Sequence, residues 1–324
     1  MKNGKMKVLI TESENFSSKA IASLRNHFQV EMANINDSEE LILKIADFDI
    51  IFIRLRCKID KDIFNKAKKL KYILTATTGL DHVDVEYFES IGGEVISLKG
   101  ETEFLETVPS TAEHTWALLL SLIKKVHSSF QHVKKGGWDR NLFINSNLKE
   151  KKIGILGLGR VGKQVAKFAN SFEMKVGFHD IVPIKSEFKI FKTPEELFNW
   201  ADIVSIHIPY TIENENFVNK ELLSHIKCQS VLINTSRGGI WEEKEVAILI
   251  KKGKLNGVAT DVLENELNMD SIASNPLVLL AQQNYNVIIT PHIGGATKES
   301  MEMTEEFIVD KFLKILFLRV DDTI

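Results

Sequence analysis

Arg237, His292 and two neighbouring carboxylates, Glu264 and Glu266, are the residues of this chain whose types suit proton and hydride chemistry on a small acid. They stand in three polar segments, each closing a run that reads as a strand. The segments are Asn234-Thr235-Ser236-Arg237-Gly238-Gly239, the stretch from Ala259 through Asp261 to Glu266, and Thr290-Pro291-His292-Ile293-Gly294-Gly295. A guanidinium is a planar fork that grips a carboxylate through parallel N–H bonds. An imidazole titrates near neutrality, so it can give a proton to a carbonyl oxygen as hydride arrives at the carbon, or take it back. A carboxylate beside the imidazole favours its charged form. The set suits interconversion of a 2-oxo and a 2-hydroxy acid. Taken singly, each residue has an ordinary explanation: a surface charge, a loop histidine, a solvated acid. What gives them weight is their order beside a second motif.

That motif is Gly157-Leu158-Gly159-Arg160-Val161-Gly162, placed between the strand-like run Lys152–Leu156 and a helical pattern from Val161 to Phe172. The first glycine permits a tight turn. The second lets backbone approach a pyrophosphate, and the third lets helix and strand pack closely. Arg160 and Val161 stand where this helix begins, and its N-terminus offers free N–H groups and partial positive charge to phosphates. The acid expected about 20 residues on, at the end of the next strand, is Asp180. Its carboxylate would accept from ribose hydroxyls and repel a 2′-phosphate. Ile181, Val182 and Pro183 after it include no base. NAD is favoured over NADP.

The elements that must position these groups alternate along the chain. Runs rich in Val and Ile fall at Lys7–Thr11, Asp49–Arg54, Tyr72–Ala76, Glu94–Leu98, Lys152–Leu156, Lys175–His179, Ile203–Ile208, Ser230–Thr235, Gly257–Asp261 and Asn286–Thr290, with helical patterns between them. This reads as parallel strands buried on both faces, an α/β fold. In such sheets ligands bind beyond the carboxyl ends of the strands. One long helix is expected from Pro109 to Lys135, opened by a capping box of Ser110 and Glu113. Its stripe of Trp116, Leu119, Leu120 and Ile123 fits core packing or a dimer contact. A second, Lys298 to Leu316, carries Met301, Ile308, Phe312 and Ile315 on one side and must return to pack on something already built.

The 324 residues suggest two domains. A net charge of -3 gives no electrostatic reason to expect nucleic acid or an acidic membrane surface. Cys57 and Cys228 fit a reducing compartment. The start, Met1 to Thr11, lacks the apolar stretch of a secretory signal, and no segment approaches the roughly 18 apolar residues of a membrane span. The cytoplasm is the expected location. No clustered ligands call for a metal.

With these motifs in order, the chain resembles the D-isomer-specific 2-hydroxyacid dehydrogenase family (phosphoglycerate, glycerate and D-lactate dehydrogenase-like) over essentially its whole length. The resemblance rests on Gly157–Gly162 with Asp180, Ile206-His207-Ile208-Pro209, Asn234–Gly238, Asp261–Glu266 and Pro291–Gly295. It implies two Rossmann-like doubly wound parallel-sheet domains. The substrate domain is then discontinuous, 1–104 with 296–324, and the NAD-binding domain is 105–295, with substrate entering between them. It implies Arg237 on the substrate carboxylate and carbonyl, His292 as acid/base, and Glu266 rather than Glu264 as its partner. Gly157, Gly159, Arg160, Val161, Gly162, Asp180, His207, Pro209, Thr235, Asp261 and Gly294 would contact NAD. Thr78 and Gly79, in Thr77–Asp84, would offer backbone N–H groups to the carboxylate, and Arg54 and Arg56 lie where relatives with anionic substrates place bases. A homodimer through the helix at Ser110–Lys125 is implied as well. One departure is Leu267, where relatives usually have proline. The alternative is an NAD-sensing co-repressor-like protein of the same fold. A formate-type enzyme would have Gln in place of Glu266.

Overall fold

The computed structural model describes residues 5–321; the first four residues, part of the start inspected for a leader, lie outside the described residues. The chain divides into two compact units. One joins the residues up to Thr107 with those from Ala296 on, and the other is Val108–Gly295. The first boundary falls three residues beyond the 104/105 division read from sequence.

In the first unit, β1 (Lys7–Ile10), β2 (Gln29–Met32), β3 (Ile50–Ile53), β4 (Tyr72–Thr75) and β5 (Glu94–Ile96) form a parallel sheet in the order β2-β1-β3-β4-β5. All four residues of β3 are buried, as a central strand covered on both faces requires. β2 is an edge strand with mostly exposed residues, so it has no apolar run to betray it in sequence. The helix Lys298–Asp321 packs back on this unit, five residues longer than expected. Phe312 is fully buried between Phe28 and Tyr72, Lys311 Nζ reaches Ser97 O at 2.9 Å, and Arg319 pairs with Glu94.

In the second unit, β6 (Lys152–Leu156), β7 (Lys175–His179), β8 (Lys189–Ile190), β9 (Ile203–Ile206), β10 (Ser230–Asn234), β11 (Leu255–Thr260) and β12 (Val287–Ile289) run parallel in the order β12-β11-β10-β9-β6-β7-β8. The order reverses between β6 and β9, the switch point at which doubly wound sheets bind dinucleotides. One core lies on each face. Trp241, Phe198 and Leu232 belong to one, Trp116, Leu119 and Ile155 to the other.

The long helix expected over 109–135 is two helices, Ser110–Ile123 and Val126–Lys134, broken at Lys125, which takes a left-handed φ of 55°. The capping box is not formed. Pro109 occupies the cap position, so Ser110 is already inside the first turn and its hydroxyl, buried, makes no side-chain cap bond. The apolar stripe is core: Trp116 and Leu119 are buried, and Leu120 and Ile123 pack against them. Helix 126–134 buries no residue, and Val126, Phe130 and Val133 on it are exposed. Among the described residues no helix is long and apolar enough to cross a membrane.

Candidate active site

The turn Gly157–Gly162 has the geometry of a dinucleotide cradle. Gly157 has φ +91°, and a Cβ there would meet His207 O at 2.9 Å. A Cβ on Gly162 would stand 2.2 Å from Gly157 O, so helix Arg160–Ser171 can approach the turn only without a side chain. Gly159 faces open space within 4 Å, the room a pyrophosphate needs at the helix N-terminus. Asp180 does more than wait for a ribose. Its Oδ2 accepts the Leu158 N–H at 2.8 Å and its Oδ1 the Val182 N–H at 2.9 Å. The acid therefore holds the glycine turn and still has lone pairs to offer. Arg160 donates to Val108 O at 3.3 Å. The His207 ring is half-buried, its Nε2 2.8 Å from Ser205 Oγ; desolvation, helped by the Arg160 charge, pushes its pKa down to about 3 and keeps it neutral. Pro209 follows at the exposed end of this segment, its carbonyl accepting from Asn214 Nδ2 at 2.9 Å.

Arg237 lies just beyond β10 on a loop fixed by Asn234. The fully buried Asn234 side chain donates to Arg237 O at 2.9 Å and accepts from the backbone and hydroxyl of Ser236 at 3.0 and 2.7 Å. Arg237 Nη1 donates to Ser236 O at 2.9 Å. Gly238 lets this loop lie against the next one: a Cβ there would sit 2.0 Å from Leu263 C. On that next loop Glu266 Oε2 accepts the Leu263 N–H at 3.1 Å, and Oε1 makes a short contact with His292 Nδ1. The pairing selects Glu266; Glu264 is exposed and enters only through its backbone. With Nδ1–H committed to a carboxylate, Nε2 is the nitrogen left to exchange a proton with a substrate. His292 itself has φ +52°, unusual for a residue with a side chain. Its N–H is held by Asp261 O at 2.8 Å and Thr290 O at 3.0 Å.

Asp261 is the hub under this loop. Its Oδ1 accepts Thr290 Oγ1 at 2.5 Å and Ile293 N at 2.9 Å, and its Oδ2 accepts Gly294 N at 2.7 Å. His114 Nε2 lies 3.2 Å from Oδ1 and 2.9 Å from Thr290 Oγ1. The Thr290 hydroxyl gives its only proton to the carboxylate, so His114 must donate to Thr290 through Nε2–H. Burial pushes the Asp261 carboxyl up, but the bonds from His114, Thr290, Ile293 and Gly294 outweigh it and hold the group below the usual range. The next helix residue works likewise. Thr115 donates to Thr111 O at 2.7 Å, so Thr235 donates to Thr115 across 2.7 Å. Helix 110–123 thus bolts both the Arg237 and the His292 loops from beneath. Sequence reasoning missed His114 and Thr115, which look like ordinary helix residues in Ala-Glu-His-Thr-Trp. It also missed Glu243 and Asn275, buried behind the Glu266 loop; a glutamate in a helix first turn carries no other mark.

In the first unit, Thr78 and Gly79 follow β4, where the Thr77 hydroxyl donates to Gly79 O at 2.9 Å. Arg54 is engaged inside this unit. Its Nε and Nη2 reach Glu305 Oε1 at 3.0 and 2.5 Å, and Nη1 donates to Glu14 O at 3.0 Å. Arg56 is more exposed, with Glu12 and Glu14 at 3.7 and 3.9 Å.

A doubly wound sheet with a glycine cradle at its switch point, and an acid-paired histidine beyond its last strands, defines a dinucleotide-binding α/β protein. The model for "D-isomer specific 2-hydroxyacid dehydrogenase, NAD binding domain" matches residues 116–294. The chain belongs to the D-isomer specific 2-hydroxyacid dehydrogenase family and carries its NAD-binding domain. A D-3-phosphoglycerate dehydrogenase of Methanocaldococcus jannaschii is 32% identical over 96% of this chain and 57% of its own length. The chain spans about half the length of that relative and of the similar ones from Archaeoglobus fulgidus and Bacillus subtilis. A hydroxypyruvate reductase of Thermotoga maritima is 28% identical over 94% of this chain and 97% of its own. The structure of a D-lactate dehydrogenase from Aquifex aeolicus, complexed with NAD and lactic acid, superposes with a TM-score of 0.83 at 26% identity, covering 97% and 96% of the two chains.

Proposed function

We propose that this protein is an NAD-dependent D-2-hydroxyacid dehydrogenase, acting on the CH–OH group of a small 2-hydroxy acid. The observation that carries the reading is the Glu266–His292 pair, held on a strained loop by Asp261 and lying beyond the carboxyl ends of β11 and β12, with Arg237 beyond that of neighbouring β10. Gly157–Gly162 and Asp180, with Thr235 and His207 alongside, would hold NAD, which when bound would supply a hydride acceptor or donor for C2. Arg237 binds the carboxylate, and the N–H groups of Thr78 and Gly79 are proposed to assist. On reduction, His292 Nε2–H gives its proton to the oxygen on C2; on oxidation the neutral ring takes it back. Glu266 holds the ring in the Nδ1–H form and balances the imidazolium charge.

Among substrates, the names of the relatives point to phosphohydroxypyruvate and hydroxypyruvate. Arg54 is committed to Glu305, so it lends no support to a phosphate, and hydroxypyruvate is the first to test. The assay follows NADH absorbance with hydroxypyruvate, glyoxylate, phosphohydroxypyruvate and pyruvate. Turnover with at least one, and its fall by about 10²–10⁴-fold in His292→Asn with NADH binding retained, is the expected result. Tight NADH binding with no turnover on any acid would favour the co-repressor-like reading. The free Cys57 and Cys228 fit the cytoplasm. A homodimer is proposed too, its contact on the exposed apolar surface of Val126, Phe130, Val133, Trp138, Leu142 and Ile144, since the stripe of helix 110–123 is used in the core.

A further inference from the structure

Behind the Glu266 loop lies a second carboxylate that the reaction does not use. Glu243, the first residue of helix Glu243–Lys251, is only 5% exposed. Its Oε1 accepts the Glu264 N–H at 2.9 Å, and its Oε2 accepts Asn275 Nδ2 at 2.5 Å. Asn275 is equally buried, and its other side-chain atom, Oδ1, caps helix Pro276–Gln282 through Leu277 N at 2.9 Å. Asn275 therefore cannot turn its amide around without losing that cap. It fixes Glu243 Oε2 as an acceptor, as the Glu264 N–H fixes Oε1, although burial pushes the carboxyl up.

Two consecutive N–H groups of one loop thus meet two carboxylates: Leu263 N–H goes to Glu266, and Glu264 N–H goes to Glu243. The following residue, Asn265, is left-handed at φ 55°, so the chain turns sharply between these anchors and Glu266. The same Glu264 nitrogen would lie 2.3 Å from a Cβ on Gly238, the residue after Arg237. Glu243 follows Arg237 on the same stretch of chain, through the short turn Gly238–Ile240. The carboxylate ties the segment carrying the anion fork to the loop carrying the acid partner.

We propose that Glu243, braced by Asn275, is a positioning residue: it sets the Glu266 loop against the Arg237 segment, and through it the Glu266–His292 hydrogen bond. Leu267, directly after Glu266, is 52% exposed and adds no buried anchor, so on its inner side the loop is held by the buried Glu243. The inference rests on the proposed pairing of His292 with Glu266.

The test reads the pairing rather than turnover. A proton shared between imidazole and carboxylate gives a far-downfield ¹H NMR resonance, followed here in the intact enzyme with saturating NAD. It should be present in the wild type and absent in Glu266→Gln and His292→Asn. In Glu243→Ala it should be lost or move upfield, with the fold intact by circular dichroism and NADH affinity within twofold. In Glu242→Ala, a neighbour that bonds elsewhere, to Lys220 N, it should stay in place. Should Glu243→Ala not fold, Glu243→Gln, which sets an amide donor against Asn275, must by itself shift the resonance. A resonance lost in Glu266→Gln but unmoved in the Glu243 variants overturns the proposal alone. A wild type without the resonance overturns the pairing, and the proposal with it.

Discussion

At the scale of single residues, polar side chains at the strand ends are arranged to hold loops. Asp180 binds the glycine turn, Asn234 the Arg237 loop, and Asp261 the His292 loop. Asp261 makes the sharpest case, since it is 2% exposed and accepts at least three hydrogen bonds. Asp261→Asn replaces one accepting oxygen by a donor, which faces donors already there. Each buried group left unpaired costs about 1–3 kcal/mol, so urea unfolding should show a loss of that size and turnover should fall with it. The wild-type carboxyl is held below its ordinary value. Its contribution to stability is therefore full above the unfolded pKa of about 3.9 and disappears as pH falls through the lower folded value. The Asn variant has no such titration, so the gap between the two proteins should narrow in acid. A gap independent of pH would refute this role.

At the scale of elements, the two helices that matter most pack on the sheet through apolar faces and add one close backbone approach and a set of polar contacts. Helix 160–171 comes so close to the turn that Gly162 leaves no room for a Cβ. Gly162→Ala has to push helix from strand, against backbone that cannot yield. About a tenfold loss of NADH affinity, roughly 1.4 kcal/mol, is expected by fluorescence titration, with the unfolding transition still cooperative. Unchanged affinity would mean that the turn is looser than drawn. Helix 110–123 was legible as an apolar stripe and nothing more. Its polar residues His114 and Thr115 gained meaning only when the folded chain set them beside Thr290, Asp261 and Thr235.

At the scale of the molecule, the second unit exposes several large apolar side chains between residues 126 and 144. Trp138 is 89% exposed and Ile144 75%, next to the Val126–Phe130–Val133 face of a helix with no buried residue. Patches of this kind mark interfaces. Phe130→Asp together with Trp138→Ser should convert the proposed dimer to monomer in sedimentation equilibrium, without lowering the unfolding temperature of the isolated subunit. A wild type that is monomeric at micromolar concentration would remove the proposal.

By itself the sequence determined the α/β class, the cofactor turn and the NAD preference, and it singled out Arg237 and His292 as candidates. These rest on local chemistry: buried parallel strands must be continuously apolar, and a tight turn at a phosphate must be glycine. The edge strands β2 and β8 escaped because exposed edges need no apolar run. The break at Lys125 escaped because helix periodicity carries across a single left-handed residue. Only the tertiary structure decided that Arg54 is bound to Glu305, and that His114, Thr115 and Glu243 stand behind the site. Those contacts join residues far apart in the chain. Nothing in the local pattern of either partner marks them, because each partner alone satisfies the same rules as any solvated polar residue.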